Sequence, residues 1–207
     1  MKGLVIKDLY LIKGYCKYLF LVEAAFLAAS FFGDNASFFL AYIAVMAGTV
    51  PMALLSYDEA EKWNNYAEGL PVTRAQMVSG KYIIAAVVCF AASILITVVT
   101  AIQQTMTESL DILNIVTVFS IMLSIGLMSS SIVLPFVYKF GVNKGRIVYF
   151  IVIGGGMGIS VGTSEILFGA TANIAKYVNF LTILLAAAAI FGLSYWLSVK
   201  FYEKREL

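Results

Sequence analysis

Apolar residues gather along this chain in six long stretches, about Tyr18–Phe32, Phe38–Leu55, Tyr82–Gln103, Ile115–Val137, Ile147–Thr163 and Val178–Val199. The short segments between them hold nearly all of the charge. A hydrocarbon core about 30 Å thick takes roughly 20 helical residues per crossing, so each stretch predicts a membrane-spanning helix. The first stretch is the shortest: either part of the preceding segment continues it, or the bilayer thins around it.

The cations assign an orientation. Lys2, Lys7, Lys13, Lys17, Lys62, Arg74, Lys81, Lys139, Lys144, Arg146, Lys200, Lys204 and Arg205 fall in one set of connecting segments, and only Lys176 falls in the other. Because cytoplasmic segments retain Lys and Arg, this bias predicts six spans with both termini inside. An odd number of spans would scatter the same cations over both faces. The expected fold is therefore an all-α integral membrane protein, with residues 1–17 as an interfacial helix and 18–207 as a single six-helix domain.

The first segment has its own pattern. At about 100° per residue, Lys2, Lys7, Lys13 and Lys17 share an arc of roughly 140°, while Leu4, Val5, Leu9, Leu11, Ile12 and Cys16 fill much of the opposite side. Asp8 breaks the apolar arc and Ile6 the polar one. The segment reads as a helix lying along the inner leaflet, or alternatively as a cytosolic extension of the first span.

The longest inner connection, residues 56–81, carries Asp58, Glu59 and Glu61, then Trp63, Asn64, Asn65 and Tyr66, and turns through Gly69, Leu70 and Pro71. Thr73 followed by Gln76 fits a capping box, which starts a new helix near Arg74. This spacing predicts two short helices with a turn between them. Trp63 and Tyr66 suit either a docking contact or insertion at the membrane interface. A shorter connection, Tyr138 to Arg146, with Gly141, Gly145 and three cations, reads as a turn.

Composition agrees with membrane residence. The 207 residues are 61% hydrophobic and 13% charged, with a net charge of +2 and a mean hydropathy of +0.92. That balance leaves no reason to expect a nucleic-acid partner, whereas membrane lipids must be one. Glu23 interrupts the first apolar stretch and no small-residue cleavage site ends it, so no removed signal peptide is expected. Cys16 and Cys89 form no pair motif and no metal spacing, and no metal site is expected.

Candidate chemistry is sparse. Gly158-Ile159-Ser160-Val161-Gly162 spells a G-x-S-x-G string, but a serine nucleophile needs a base, the chain contains no histidine, and every lysine maps to the membrane edge or beyond. Gly154, Gly158 and Gly162 at four-residue spacing instead suit close helix packing, within the subunit or across a dimer. Glu23 is the one acid inside a predicted span, a functional candidate by default, though it is also placed to pair with Lys17. Asp34, Glu108, Asp111 and Glu165 give the opposite face an acidic rim. No G-x-x-x-x-G-K-[ST] occurs, so this chain has no P-loop for ATP. Pro51 and Pro135 sit near the inner ends of their spans, and the two halves show no matching broken segments of an inverted-repeat carrier.

Taken in order, Lys2-Gly3-Leu4 with Ile6-Lys7-Asp8-Leu9, Ser56-Tyr57-Asp58-Glu59, Leu70-Pro71-Val72-Thr73-Arg74 through Ser79-Gly80-Lys81-Tyr82, and Lys139-Phe140-Gly141 to Lys144-Gly145-Arg146 resemble the small ABC-2-type permeases of Gram-positive bacteria. Nearly the whole chain takes part. The resemblance looks closest to the branch that includes staphylococcal exporters of amphipathic cytolytic peptides. It implies an amphipathic elbow helix before six spans, a permease dimer and a separately encoded ATP-binding cassette subunit that binds ATP and Mg, leaving this chain with no cofactor and no catalytic residue. It also implies that Asp58, Glu59, Glu61, Trp63, Leu70, Pro71, Thr73 and Arg74 meet the ATPase subunit in a coupling loop. The expected role is the permease of a bacterial plasma-membrane exporter for an amphipathic or hydrophobic peptide or lipid-like substrate. The alternatives are a non-transporting immunity or sensor protein and an ion-coupled carrier using Glu23.

Overall fold

In lipid a backbone N–H or C=O has no water to bond, so an apolar chain satisfies these groups internally by coiling into helices. The computed structural model describes residues 2–15, 17–32, 36–67, 69, 73–106, 111–162 and 180–204, and no strand occurs among them. The helices are α1 (Lys2–Tyr15), α2 (Lys17–Phe32), α3 (Ala36–Ala60), α4 (Trp63–Ala67), α5 (Arg74–Met106), α6 (Ile112–Phe140), α7 (Val142–Gly162) and α8 (Phe180–Glu203). The all-α expectation holds.

Among the described residues, four helices are long and apolar enough to cross a bilayer: α3, α5, α6 and most of α8. A fifth is reached if α1 and α2, whose axes meet at 61°, count as one bent crossing. This is short of the six that hydropathy predicts. At 1.5 Å per residue, α2 with its 16 residues reaches only about 24 Å, as the short first stretch foreshadowed.

Two connections differ from expectation. The turn expected over Tyr138–Arg146 shrinks to Gly141, whose φ of 81° suits glycine and whose N–H closes α6 on the Val137 carbonyl at 2.9 Å. A Cβ on Gly145 would lie 2.9 Å from Val137 Cα, so only glycine lets α7 turn back so tightly. The first of the two expected short helices is likewise the end of α3, which runs to Ala60 before Lys62, at φ 52°, breaks it from α4.

α6 is the central helix and packs against α3, α5, α7 and α8. It meets α3 at a crossing of glycines: a Cβ on Gly48 would stand 2.6 Å from the Gly126 carbonyl oxygen, and one on Gly126 would stand 3.2 Å from the Ala44 carbonyl oxygen. With backbones this close, serines of α6 reach across. Ser129 Oγ donates to the Val45 carbonyl and Ser130 Oγ to that of Gly48, both at 3.0 Å. Small residues and hydroxyls hold helices together where lipid removes the hydrophobic drive. The same logic binds α8, where Ser194 donates to the Ser131 carbonyl at 2.8 Å and the Tyr82 hydroxyl lies 2.7 Å from both Ser194 and Ser198. Pro51 and Pro135 are both inside helices, and both are buried.

These pairings set directions. α3, α6 and α8 end where α5 and α7 begin, bringing Asp58, Arg74, Lys81, Lys139, Val142 and Tyr202 to one end of the bundle. α2 leaves the same end and reaches the other, where the Ser30 carbonyl accepts from Gln103 Nε2 at 3.0 Å. Gly154, Gly158 and Gly162 lie on α7, but what surrounds them is outside the described part of the structure.

Gly48→Ala is expected to lower the stability of the detergent-purified protein by about 1–3 kcal/mol, because the added methyl forces α3 and α6 apart. Thermal unfolding of the variant beside Gly192→Ala, where the new Cβ meets nothing within 4 Å, measures it.

Candidate functional site

The cationic end of the bundle is held by charge. Asp8 lies on the inward face of α1, Asp58 on the last turns of α3 and Lys81 on the second turn of α5; all three are at most 5% exposed. With the half-buried Lys7 they close a ring. Asp58 receives Lys7 Nζ and Lys81 Nζ, both at 2.6 Å, and Asp8 receives Lys81 Nζ at 2.8 Å and Lys7 Nζ at 3.2 Å. Two cations against two anions leave the cluster neutral, which is what makes its burial tolerable. The Lys7 ammonium also sits 4.2 Å from the centre of the Trp63 ring, which joins α4 to the cluster. A cavity of about 30 Å³ beside it is walled by Leu4, Leu55, Tyr138 and Tyr202 together with the charged groups.

The start of α5 is built as its sequence predicts. The Gln76 N–H donates to Thr73 Oγ1 at 3.3 Å, and the Thr73 N–H donates to Gln76 Oε1 at 3.2 Å, the reciprocal bonds of a capping box. One residue on, Arg74 Nη1 donates to the carbonyls of Tyr202 and Glu203, each at 3.2 Å, and so closes the C-terminal end of α8. The Glu59 carboxylate accepts the Val142 N–H at 3.2 Å, where the positive end of α7's dipole favours an anion. Glu59 and Arg74 therefore tie neighbouring helix ends into the junction.

The residues read from sequence as a docking loop thus divide. Asp58 is buried, with one oxygen on Lys7 and the other on Lys81, so its carboxylate is turned into the bundle. Glu61 and Thr73 are exposed, and Trp63 is half-buried. Leu70 and Pro71 lie outside the described residues. An open groove of about 240 Å³ runs between α1 and the α3–α4 corner, walled by Leu11, Tyr57, Trp63, Glu61 and the outer side of the Lys7–Asp58 pair. Tyr66, 64% exposed, sets its ring 5.3 Å from that of Trp63 and tilted by 43° to it.

Elsewhere, Glu23 does not pair with Lys17. Its Oε1 is buried without a hydrogen-bond partner, and Lys17 Nζ lies instead over the Tyr18 ring at 5.3 Å. Lys7, Asp8 and Lys81 were not singled out by their types. Their signal was misfit: an acid in the apolar arc of α1, and a lysine at the edge of the third apolar stretch.

Apolar helices in near-alternating directions, braced by hydroxyls within and by a neutral charge ring at one end, define a multi-pass helical membrane protein. The family model described as ABC-2 family transporter protein matches residues 3–203. The chain belongs to that family and is a membrane permease of an ABC transporter. No curated relative and no solved structure matches it.

Removing one member of the ring strands a buried charge. Asp58→Asn is expected to cost about 3–5 kcal/mol, whereas Asp58→Asn with Lys81→Met, which restores neutrality, should recover most of it. Thermal melts of the two variants beside Lys81→Met close the double-mutant cycle.

Proposed function

We propose that this chain is the transmembrane subunit of a bacterial ABC exporter, crossing the plasma membrane six times with both termini in the cytoplasm, and powered by a separate ATP-binding cassette subunit that carries ATP and Mg. Family membership supports the permease role. The gathering of Lys7, Arg74, Lys81 and Lys139 at one end of the bundle supports a cytoplasmic assignment for that end. α2 supports the six-span count: although short, it passes from that end to Gln103 at the other.

The observation that carries the coupling role is the bracing of the segment between α3 and α5. Its first end is held by the charge ring and its second by the capping box and the Arg74 bonds to α8. A push on α4 therefore reaches α1, α3, α5 and α8 together instead of being absorbed in a slack loop. The groove beside Trp63, with exposed Glu61 at its edge, is the surface offered to the ATPase: a rigid aromatic ring fills a pocket, and the acid sets orientation. Thr73, exposed at the start of α5, is a further contact; Leu70 and Pro71 are assigned to the ATPase on the family resemblance alone, while Asp58, Glu59 and Arg74 transmit from behind. The cargo is an amphipathic or hydrophobic molecule, peptide or lipid-like, and two copies of the permease form the pathway, with Gly154, Gly158 and Gly162 as the candidate packing positions by their four-residue spacing.

Pull-down of the tagged chain from its native membrane should recover a P-loop ATPase; its absence would favour the immunity or sensor reading. In reconstituted vesicles, Trp63→Ala and Glu61→Lys should leave the permease inserted yet lower ATPase recovery about tenfold, the scale of a lost interface anchor. Arg74→Gln should retain the ATPase but weaken stimulation of its turnover. Unchanged recovery and turnover in all three would remove the coupling assignment.

A further inference from the structure

Glu23 has no part in the junction at the cationic end. It lies on α2, six residues beyond Lys17, and lines a cavity of about 200 Å³ between α2, α3 and α5. The walls are Phe20, Leu27, Ile43, Ala92 and Leu95, with Ala24 at the rim, and among the described residues Glu23 is the one charged member. Ile43, 2% exposed, forms the floor, whereas Phe20 and Leu95 are 41% and 46% exposed, so the cavity opens sideways on the outer surface of the bundle, where lipid lies. Glu23 Oε1 is shielded and unpartnered, and the nearest cation along the chain, Lys17, is engaged by Tyr18.

A buried carboxyl oxygen in an apolar cavity is a strong acceptor with nothing to satisfy it, as Glu23 Oε1 is here, and an ionisable group at membrane depth marks a site of function by default. The chemistry that completes this site is a hydrogen-bond donor carrying positive charge on an apolar stem. A primary ammonium gives three N–H donors to the carboxylate, and its methylene chain fits between Phe20, Leu27 and Leu95. The volume, against about 30 Å³ for the share of one liquid water, holds several heavy atoms but no globular partner. We propose that Glu23 and this cavity form a lateral, lipid-accessible site that binds the ammonium end of an amphiphile. The ammonium is that of an amine-bearing lipid headgroup, because the cavity opens through exposed Phe20 and Leu95 onto the lipid-facing side of the bundle. Binding here does not depend on the ATPase, so the site stands or falls apart from the coupling assignment.

The test uses the full-length protein in nanodiscs and a hydrophobic carbodiimide, which adds covalently to a protonated membrane carboxyl and is read by peptide mass. Glu23 is expected to be modified in nanodiscs of phosphatidylcholine. Dodecylammonium should slow that modification about tenfold or more, as a charge-assisted hydrogen bond warrants, and dodecanol should not. Dodecylammonium should also raise the melting temperature of the wild type above the dodecanol control, and this shift should vanish in Glu23→Gln. Ala92→Phe, which fills the cavity and leaves the carboxyl in place, should abolish it as well, so the test survives misfolding of either variant. Protection in phosphatidylethanolamine nanodiscs is expected for the lipid headgroup; protection by a lysine-bearing amphipathic peptide but not by its norleucine counterpart, with none from phosphatidylethanolamine, overturns that assignment in favour of a peptide. Equal protection by dodecanol, an undiminished shift in either variant, or a Glu23 modified only when the protein is made monomeric, as a covering second copy would require, overturns the proposal.

Discussion

The arrangement at the cationic end depends on one requirement: four charges taken out of water must cancel among themselves. Lys7 and Asp8 come from α1, Asp58 from α3 and Lys81 from α5, so the four-membered ring closes only when all three helices meet. The Coulomb term is strong only while the ring is closed, and each ion stripped of a counterion carries a desolvation cost of several kcal/mol. The ring therefore acts as a registration device. It fixes how far α1 slides along α5, and so where the bend between α1 and α2 falls.

Away from that end the bundle uses a different adhesive. Lipid is as apolar as leucine, so apolar contact adds little to helix association, and the close approach of α3 to α6 relies on missing side chains and on hydroxyls that find a second carbonyl. Gly48 and Gly126 make room; Ser129 and Ser130 use it. Tyr82, held between Ser194 and Ser198, extends the same device to α8 one residue after Lys81 of the charge ring. The two adhesives meet at the N-terminal part of α5. Motion delivered to α4 has a stiff route into the membrane there, consistent with the transport role proposed.

Much of this was legible in the chain. The helices α3, α5, α6 and α8 follow from apolar length, the segregation of cations to one end follows from their spacing, and the start of α5 follows from Thr73 and Gln76. The candidate site was legible only in outline. Asp58 looked like a member of an exposed acidic stretch because charge in a connecting segment ordinarily faces water, and nothing local says that Lys7 and Lys81 converge on it. The α6–α7 turn is where the glycines place it but is shorter than the cations suggest, because Lys139, Lys144 and Arg146 resemble loop residues, yet helix ends tolerate cations as well.

What the sequence determined by itself is which segments must leave water and which must stay near it, because hydropathy and charge are properties of the residues themselves. Which polar groups satisfy one another was decided only by the tertiary structure. An ion pair between positions 8 and 81, or a carboxyl at 23 left unpaired among apolar walls, depends on distances that exist only once the helices have packed.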